Sequence, residues 1–296
     1  MPRAPRNQRR PAASPATAGR EPFRGARIAL LTQHGKERVL APVLHEALGA
    51  RLEVVSGFDT DTLGTFTRDV PRPGSQLDAA RRKAELAIEL CGASAGLGSE
   101  GSLCAGPFGF GGWSVELVVL VDRALGIEVA GFSQGPCTHV HGCPGTHEEL
   151  RALAERAGFP RHGLVVRVGE SGPIVRKALR SWDALSSAFD EAAARGGDTA
   201  FVESDLRAHQ HPTRMALIGE AGRDLAARLA TPCPACAAPG FGVAEAVPGL
   251  PCAQCGMPTD LALADDWACG RCGARERRPR PGPASAEPRH CNWCNP

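Results

Sequence analysis

No apolar run in this chain approaches the ~20 consecutive residues that a membrane-spanning helix needs; the longest, Val115–Val121, is interrupted by Glu116. A membrane partner is therefore not expected. An excess of charge of one sign is also missing, since 34 Lys and Arg stand against 32 Asp and Glu for a formal net charge of +2. That balance does not by itself argue for nucleic acid, whose binding domains usually carry a clear basic excess. The opening residues, MPRAPRNQRRPAASPATAGREPF, contain arginines and prolines but no hydrophobic h-region, so they do not read as a secretory signal and a cytoplasmic location is expected. They hold little to bury, and residues 1–24 read as a disordered tail.

What is present describes a globular chain. Over 296 residues, 43% are apolar and 22% charged, enough for one α/β domain and a small appended module. Twelve cysteines would suit a disulfide-rich secreted protein, but eight of them form C-x-x-C pairs: Cys233/Cys236, Cys252/Cys255, Cys269/Cys272 and Cys291/Cys294. With no export signal, metal is favoured over disulfide. Each pair wraps two thiolates around one ion, and Zn²⁺ takes four in a tetrahedron. Two structural zinc ions are therefore expected in a double zinc-ribbon module at 231–296. Gaps of 15, 13 and 18 residues separate successive pairs; 15 and 18 suit consecutive ribbons, with an interleaved arrangement as the alternative. Gly256 and Gly273 each follow a second cysteine, where a turn of positive φ suits glycine. The segment Arg275–Arg278, with Trp267 and Trp293, is either a solvated basic loop or a nucleic-acid contact made through the ribbons. A further group, Cys137, His139, His141, Cys143 and His147, has ligand chemistry but no standard structural spacing.

Residues 25–230 alternate strand and helix patterns. Ala26–Thr32 reads as a buried strand leading into a helix that contains Pro42, and Leu52–Val55 as a short strand. Leu77–Cys91 has an amphipathic helical face. Val115–Asp122 and Ile127–Phe132 read as an antiparallel hairpin. Helical patterns follow at Thr146–Ala157, Ser181–Arg195 and Thr213–Ala230, with strands GLVVRV and TAFVE between them. A mixed α/β sheet covered by helices is expected. Three polar segments, TQHGKE, GLGSEGS and HQHPTRM, fall at strand ends and helix starts, where open α/β sheets present ligands. In the first, Thr32, His34 and Lys36 could converge on phosphate at a helix N-terminus. In the second, Glu100 lies between glycines and serines as an exposed loop carboxylate, a candidate functional acid. The loop GFDTDTLGTFT, Gly57–Thr67, carries Phe58 and Phe66 and is expected to line the cleft.

From Arg27 onward the sequence is similar to an uncharacterised bacterial family, a domain of unknown function whose members share HGKE, GFDTDxxGTFT, ARxKA, SEGS, ESDLRAHxxPTRM and the terminal cysteine pairs. The α/β part also resembles the inosine triphosphate pyrophosphatase superfamily in its order of motifs: T-x-x-x-K at Thr32–Lys36, A-x-x-K-A at Ala80–Ala84, an acidic loop at Gly98–Gly101, a hairpin, and His-x-x-Arg at His211–Arg214. That resemblance implies a metal-dependent hydrolase that splits a nucleoside triphosphate into monophosphate and pyrophosphate. Thr32, His34, Lys36, Lys83, Arg207, His211 and Arg214 would then hold phosphate or nucleotide. Glu100 would serve Mg²⁺ or Mn²⁺ or the attacking water. The family's loop asparagine is His34 here, and its paired acid is the single Glu100, so Glu53, Asp69 or Asp122 would have to complete the metal's oxygen ligands. The alternative is a non-catalytic nucleotide- or RNA-binding protein that uses the ribbons as its contact surface.

Overall fold

The computed structural model describes residues 19–58, 74–106, 109, 111–195 and 200–296. Most of the GFDTDTLGTFT loop, and Asp69, lie outside the described residues. Strand β1 (Arg27–Leu31) is apolar on both faces because both are covered. Ile28 and Leu30 join a core with helix α1 (Glu37–Leu48) and helix α5 (Pro212–Leu229), while Ala29 and Leu31 pack with helix α2 (Gln76–Cys91). Pro42 lies inside α1. Ser75 caps α2 by accepting from the Asp78 amide while Asp78 reaches back to the Ser75 amide, so two free amide donors are satisfied reciprocally.

Strands β2 (Arg51–Val55), β3 (Ala95–Ala105), β4 (Gly112–Asp122) and β5 (Ile127–Cys137) complete a five-stranded sheet in the order β2-β1-β3-β4-β5. β1 is parallel to both neighbours, and β3, β4 and β5 are antiparallel. Gly96 and Gly98 let α2 lie directly on β3, because a Cβ at either position would collide with the carbonyls of Ala84 and Ala80. Glu100, expected in a loop, is in the middle of the 11-residue strand β3. The serines and glycines there are strand residues under a close helix, not turn residues.

A second sheet was not anticipated. Strands β6 (His141–Gly142), β7 (Leu164–Val168), β8 (Ile174–Leu179) and β9 (Ala200–Ser204) form an antiparallel sheet of order β6-β9-β7-β8. Helices α3 (His147–Ala157) and α4 (Trp182–Ala194) pack on it around a separate core that includes Leu153, Val166, Leu185 and Val202. This unit is inserted between β5 and α5. The expected tail boundary at residue 24 also falls within packed structure: Glu21–Phe23 is a 3-10 turn, and Phe23 is 1% exposed in the main core. The described residues contain no helix long and apolar enough to cross a membrane.

Strands β10 (Gly242–Pro248), β11 (Ala262–Ala268) and β12 (Arg275–Pro279) form one three-stranded antiparallel sheet. The module is therefore a single sheet rather than two successive ribbons.

Candidate functional site

The cysteines form two quartets. Cys233, Cys236, Cys269 and Cys272 make one and Cys252, Cys255, Cys291 and Cys294 the other, with all sulfurs of a quartet within 4.8 Å of one another. The expected consecutive pairing is thus corrected to the interleaved one, and the meander explains why. β10 runs from the first C-x-x-C turn to the second, β11 returns to the third, and β12 leads to the fourth. Odd-numbered turns therefore meet at one end of the sheet and even-numbered turns at the other, ~20 Å apart for strands of seven residues.

A metal fits this donor set. Four thiolates at the ~2.3 Å typical of zinc lie ~3.8 Å from each other; Cys233–Cys272, Cys236–Cys269 and Cys255–Cys291 are each separated by 3.7 Å, and Cys252–Cys294 by 3.9 Å. The backbone is wound for anionic sulfur: the amides of Ala235 and Gln254 donate to Cys233 Sγ and Cys252 Sγ, each at 3.4 Å. Amide donation from Cys255 and Gln254 draws the Cys252 thiol down, while the Cys255 sulfur and burial push its quartet partner Cys294 up. Gly256 and Gly273 have φ of 73°, as expected from their place after a second cysteine. The third set of candidate ligands does not assemble. Cys137 is buried beside His211, His139 and His141 face each other, and His147 pairs with Asp190; among the described residues only the two cysteine quartets gather three or more ligands.

The polar segments of the α/β part meet at a topological switch point. α1 leads from β1 to β2 on one face, and α2 leads back past β1 to β3 on the other. A crevice opens where such connections diverge, at the carboxyl ends of the parallel strands. β3 pairs with β1 as far as Leu97 and then continues past the end of β1, paired with β4. Ser99 and Glu100 lie on that extension. Lys36, the N-cap residue of α1, donates from Nζ to Ser99 O at 2.9 Å and to Ser99 Oγ at 3.3 Å. Lys83 of α2 pairs with Glu100 at 2.5 Å, both nearly buried. Gln76 fixes the strand by donating to the carbonyls of Glu100 and Val115 and accepting from Ser102.

The segment returning from the second sheet closes the crevice. His209 stacks on His34, with centroids 5.0 Å apart. Thr32 Oγ1 accepts from the His34 amide. Arg207 grips the fully buried Asp205 through two bonds of 2.9 and 2.6 Å. His211 and Arg214 are fixed by protein groups. His211 is 0% exposed, accepts from the Arg214 amide and donates to Thr138 O. The Arg214 guanidinium holds Glu116 at 2.7 and 3.0 Å and also bonds Leu206 O. Of these four cations Lys83, Arg207 and Arg214 each form a salt bridge with a carboxylate, whereas Lys36 makes none among the described residues, although the charges of Glu100 and Glu116 lie close enough to act on it. Burial, with Lys83 nearby, lowers the Lys36 ammonium to about 8. Burial and the surrounding cations, Lys36 first, push His34 down to about 3, so its ring is neutral and can donate but carries no charge.

Of the acids expected to assist Glu100, the two among the described residues do not reach it. Asp122 pairs with Ala95, five residues back along β3, and caps a turn through the amides of Ala124 and Leu125; Glu53 makes an exposed ion pair with Arg27. The buried carboxylate one residue along from the Glu100 position is Glu116, opposite Gly101, where a Cβ would collide with Glu116 and Arg214. Its signal in the sequence is a charge inside an otherwise apolar strand. Gln76, Asp205 and His209 were likewise not singled out.

A family model described as Domain of unknown function (DUF6671) matches residues 83–296, more than half of the chain. The chain belongs to the DUF6671 family. The matched DUF6671 segment starts at Lys83 and takes in Glu100, the second sheet, α5 and both quartets, whereas Lys36 and β1 precede it. No curated protein and no solved structure matches the chain.

Proposed function

We propose that this DUF6671 protein is a metal-dependent nucleotide hydrolase whose triphosphate lies in the switch-point crevice, with two structural zinc ions in the quartets. The observation that carries the reading is the buried Lys83–Glu100 pair beside Lys36, a cation without a carboxylate partner. A buried surplus cation calls for an anion, and phosphate at a helix N-terminus meets both the ammonium and free amides. Phosphate competes with Glu100 for Lys83, which frees the carboxylate to hold Mg²⁺ or Mn²⁺ and to take the proton of the attacking water. Water adds to the α-phosphorus, the bond to the bridging oxygen breaks, and pyrophosphate leaves with the bonding pair. Arg214 and Glu116 position the crevice from behind rather than touch the ligand. The test is incubation of the protein with a panel of nucleoside triphosphates and Mg²⁺ or Mn²⁺, with pyrophosphate release as readout. Metal-dependent release is expected; binding without release for every member of the panel supports a binding protein instead.

A further inference from the structure

The two quartets differ in what they touch. Cys233 and Cys269 belong to the main core, together with Phe241 and Val129, whereas the second quartet lies beside the exposed side chains of Met257 and Trp293. Both halves of the first quartet lean on adjacent residues of the edge strand β5. Gly240 lies so close to Val129 that a Cβ would strike its side chain, and Gly270, between Cys269 and Cys272, faces the Glu128 carbonyl. Strand alternation turns Val129 toward α5 and Glu128 toward α2. There Glu128 holds Arg81 in a two-bond fork of 2.6 and 2.8 Å. Arg81 is two residues from Lys83, the partner of Glu100.

We infer that the first quartet is a positioning element for the crevice: through Glu128 and Arg81 it sets where α2 presents Lys83, and the second quartet has no such role. The inference deepens the phosphate reading and rests on it for its affinity arm, while its structural arm stands without it. Removing the metal loosens the first and third C-x-x-C turns, β5 loses its outer support, and the Glu128 fork no longer holds α2 in register with β3.

The test compares Cys272→Ser, Cys255→Ser and Glu128→Gln in the full chain by metal content, hydrogen exchange and binding of inorganic pyrophosphate. Cys272→Ser should lose one metal equivalent and exchange faster by about tenfold at residues 127–137 and 76–91. Cys255→Ser should lose one equivalent with exchange in both segments unchanged. Glu128→Gln keeps both metals and its melting temperature, which makes it informative even where Cys272→Ser fails to fold. It should speed exchange in 76–91 and weaken pyrophosphate up to about fivefold, as befits a half-exposed ion pair. Arg81→Met combined with Glu128→Gln should be no worse than either alone, since the two act as one link. Equal effects from Cys272→Ser and Cys255→Ser, or an unmoved α2 in Glu128→Gln, overturn the inference. A wild-type protein that binds no pyrophosphate overturns the phosphate reading only, and exchange still decides the positioning role.

Discussion

Two quartets of identical ligands at the ends of one small sheet have different surroundings, and the difference separates what a metal does chemically from what it holds together. The first quartet shares its core with Ile28, Leu97 and Leu225 of the α/β part, whereas no cysteine of the second belongs to that core, and Cys252 makes a β-bridge to Ala286. Both ends offer the same four cysteine sulfurs, so the consequence of losing a bound metal would depend on which core its turns have joined. The crevice is built differently from both. It is built from side chains that are distant in sequence, and burial rather than a covalent or coordinate bond gives its charges their strength.

The largest expected effect breaks the symmetry of the quartets directly. Cys233→Ser should lower the stability of the whole chain by on the order of 5 kcal/mol, part of the ~10–16 kcal/mol that a structural zinc site can supply. Cys291→Ser should unfold the far end of the module alone. Calorimetry checks this as one shifted transition in the first case and an unchanged main transition in the second. Next in size are changes in the α/β core. Phe23→Ala empties a fully covered site and should cost ~3–5 kcal/mol in urea titration. Glu116→Gln leaves the Arg214 guanidinium buried without its charge partner and should cost ~3 kcal/mol or more, whereas a similar change at the exposed Glu53 should cost under ~1 kcal/mol.

Smaller effects distinguish crevice from scaffold. Lys36→Ala should weaken a bound triphosphate by ~1.5–3 kcal/mol, the worth of a charged hydrogen bond, with little loss of stability. The pH dependence has two opposite signs. Folding lowers the Lys36 ammonium from 10.5 to about 8, so the unfolded chain holds the extra proton between those values, and the contribution of Lys36 to stability rises with pH across that window. Anion affinity needs the charged form and should fall as pH rises through about 8. Titration calorimetry at pH 7 and pH 9 would show the fall in the native protein and its absence in Lys36→Ala.

How much of this was legible in the sequence follows from the range of each interaction. The C-x-x-C turns are local, so the ligands, the glycine conformations and the existence of two sites could be read directly. Their interleaving depends on hairpin directions that no spacing encodes. The β1–α1 and β4–β5 units were readable because each is closed by neighbouring residues. The second sheet was not, since β8 (Ile174–Leu179) is mostly half-buried with the adjacent charges Arg176 and Lys177 breaking any apolar alternation, and its partner is chosen by long-range pairing. Within the crevice, Lys36 was legible from its place at a strand-to-helix junction and Glu100 as a charge among glycines and serines, although it lies mid-strand; Lys83, inside α2, came only from the resemblance in motif order. Glu116 and Asp205 emerged only once the register set one beneath Arg214 and the chain return set the other beside Arg207. The burial of Phe23 is not legible in the sequence because one aromatic in a polar segment has no periodicity to announce it.

The central claim is that Glu100 acts on a phosphate held by the lysines. Phosphorus NMR of a nucleoside triphosphate with Mg²⁺, run in parallel with wild-type protein and Glu100→Gln and paired with a binding titration of each, tests it most directly. The account predicts pyrophosphate and monophosphate from the wild type, and from Glu100→Gln retained binding with no new resonances. Turnover undiminished in Glu100→Gln, or the absence of both binding and turnover in the wild type, would contradict it.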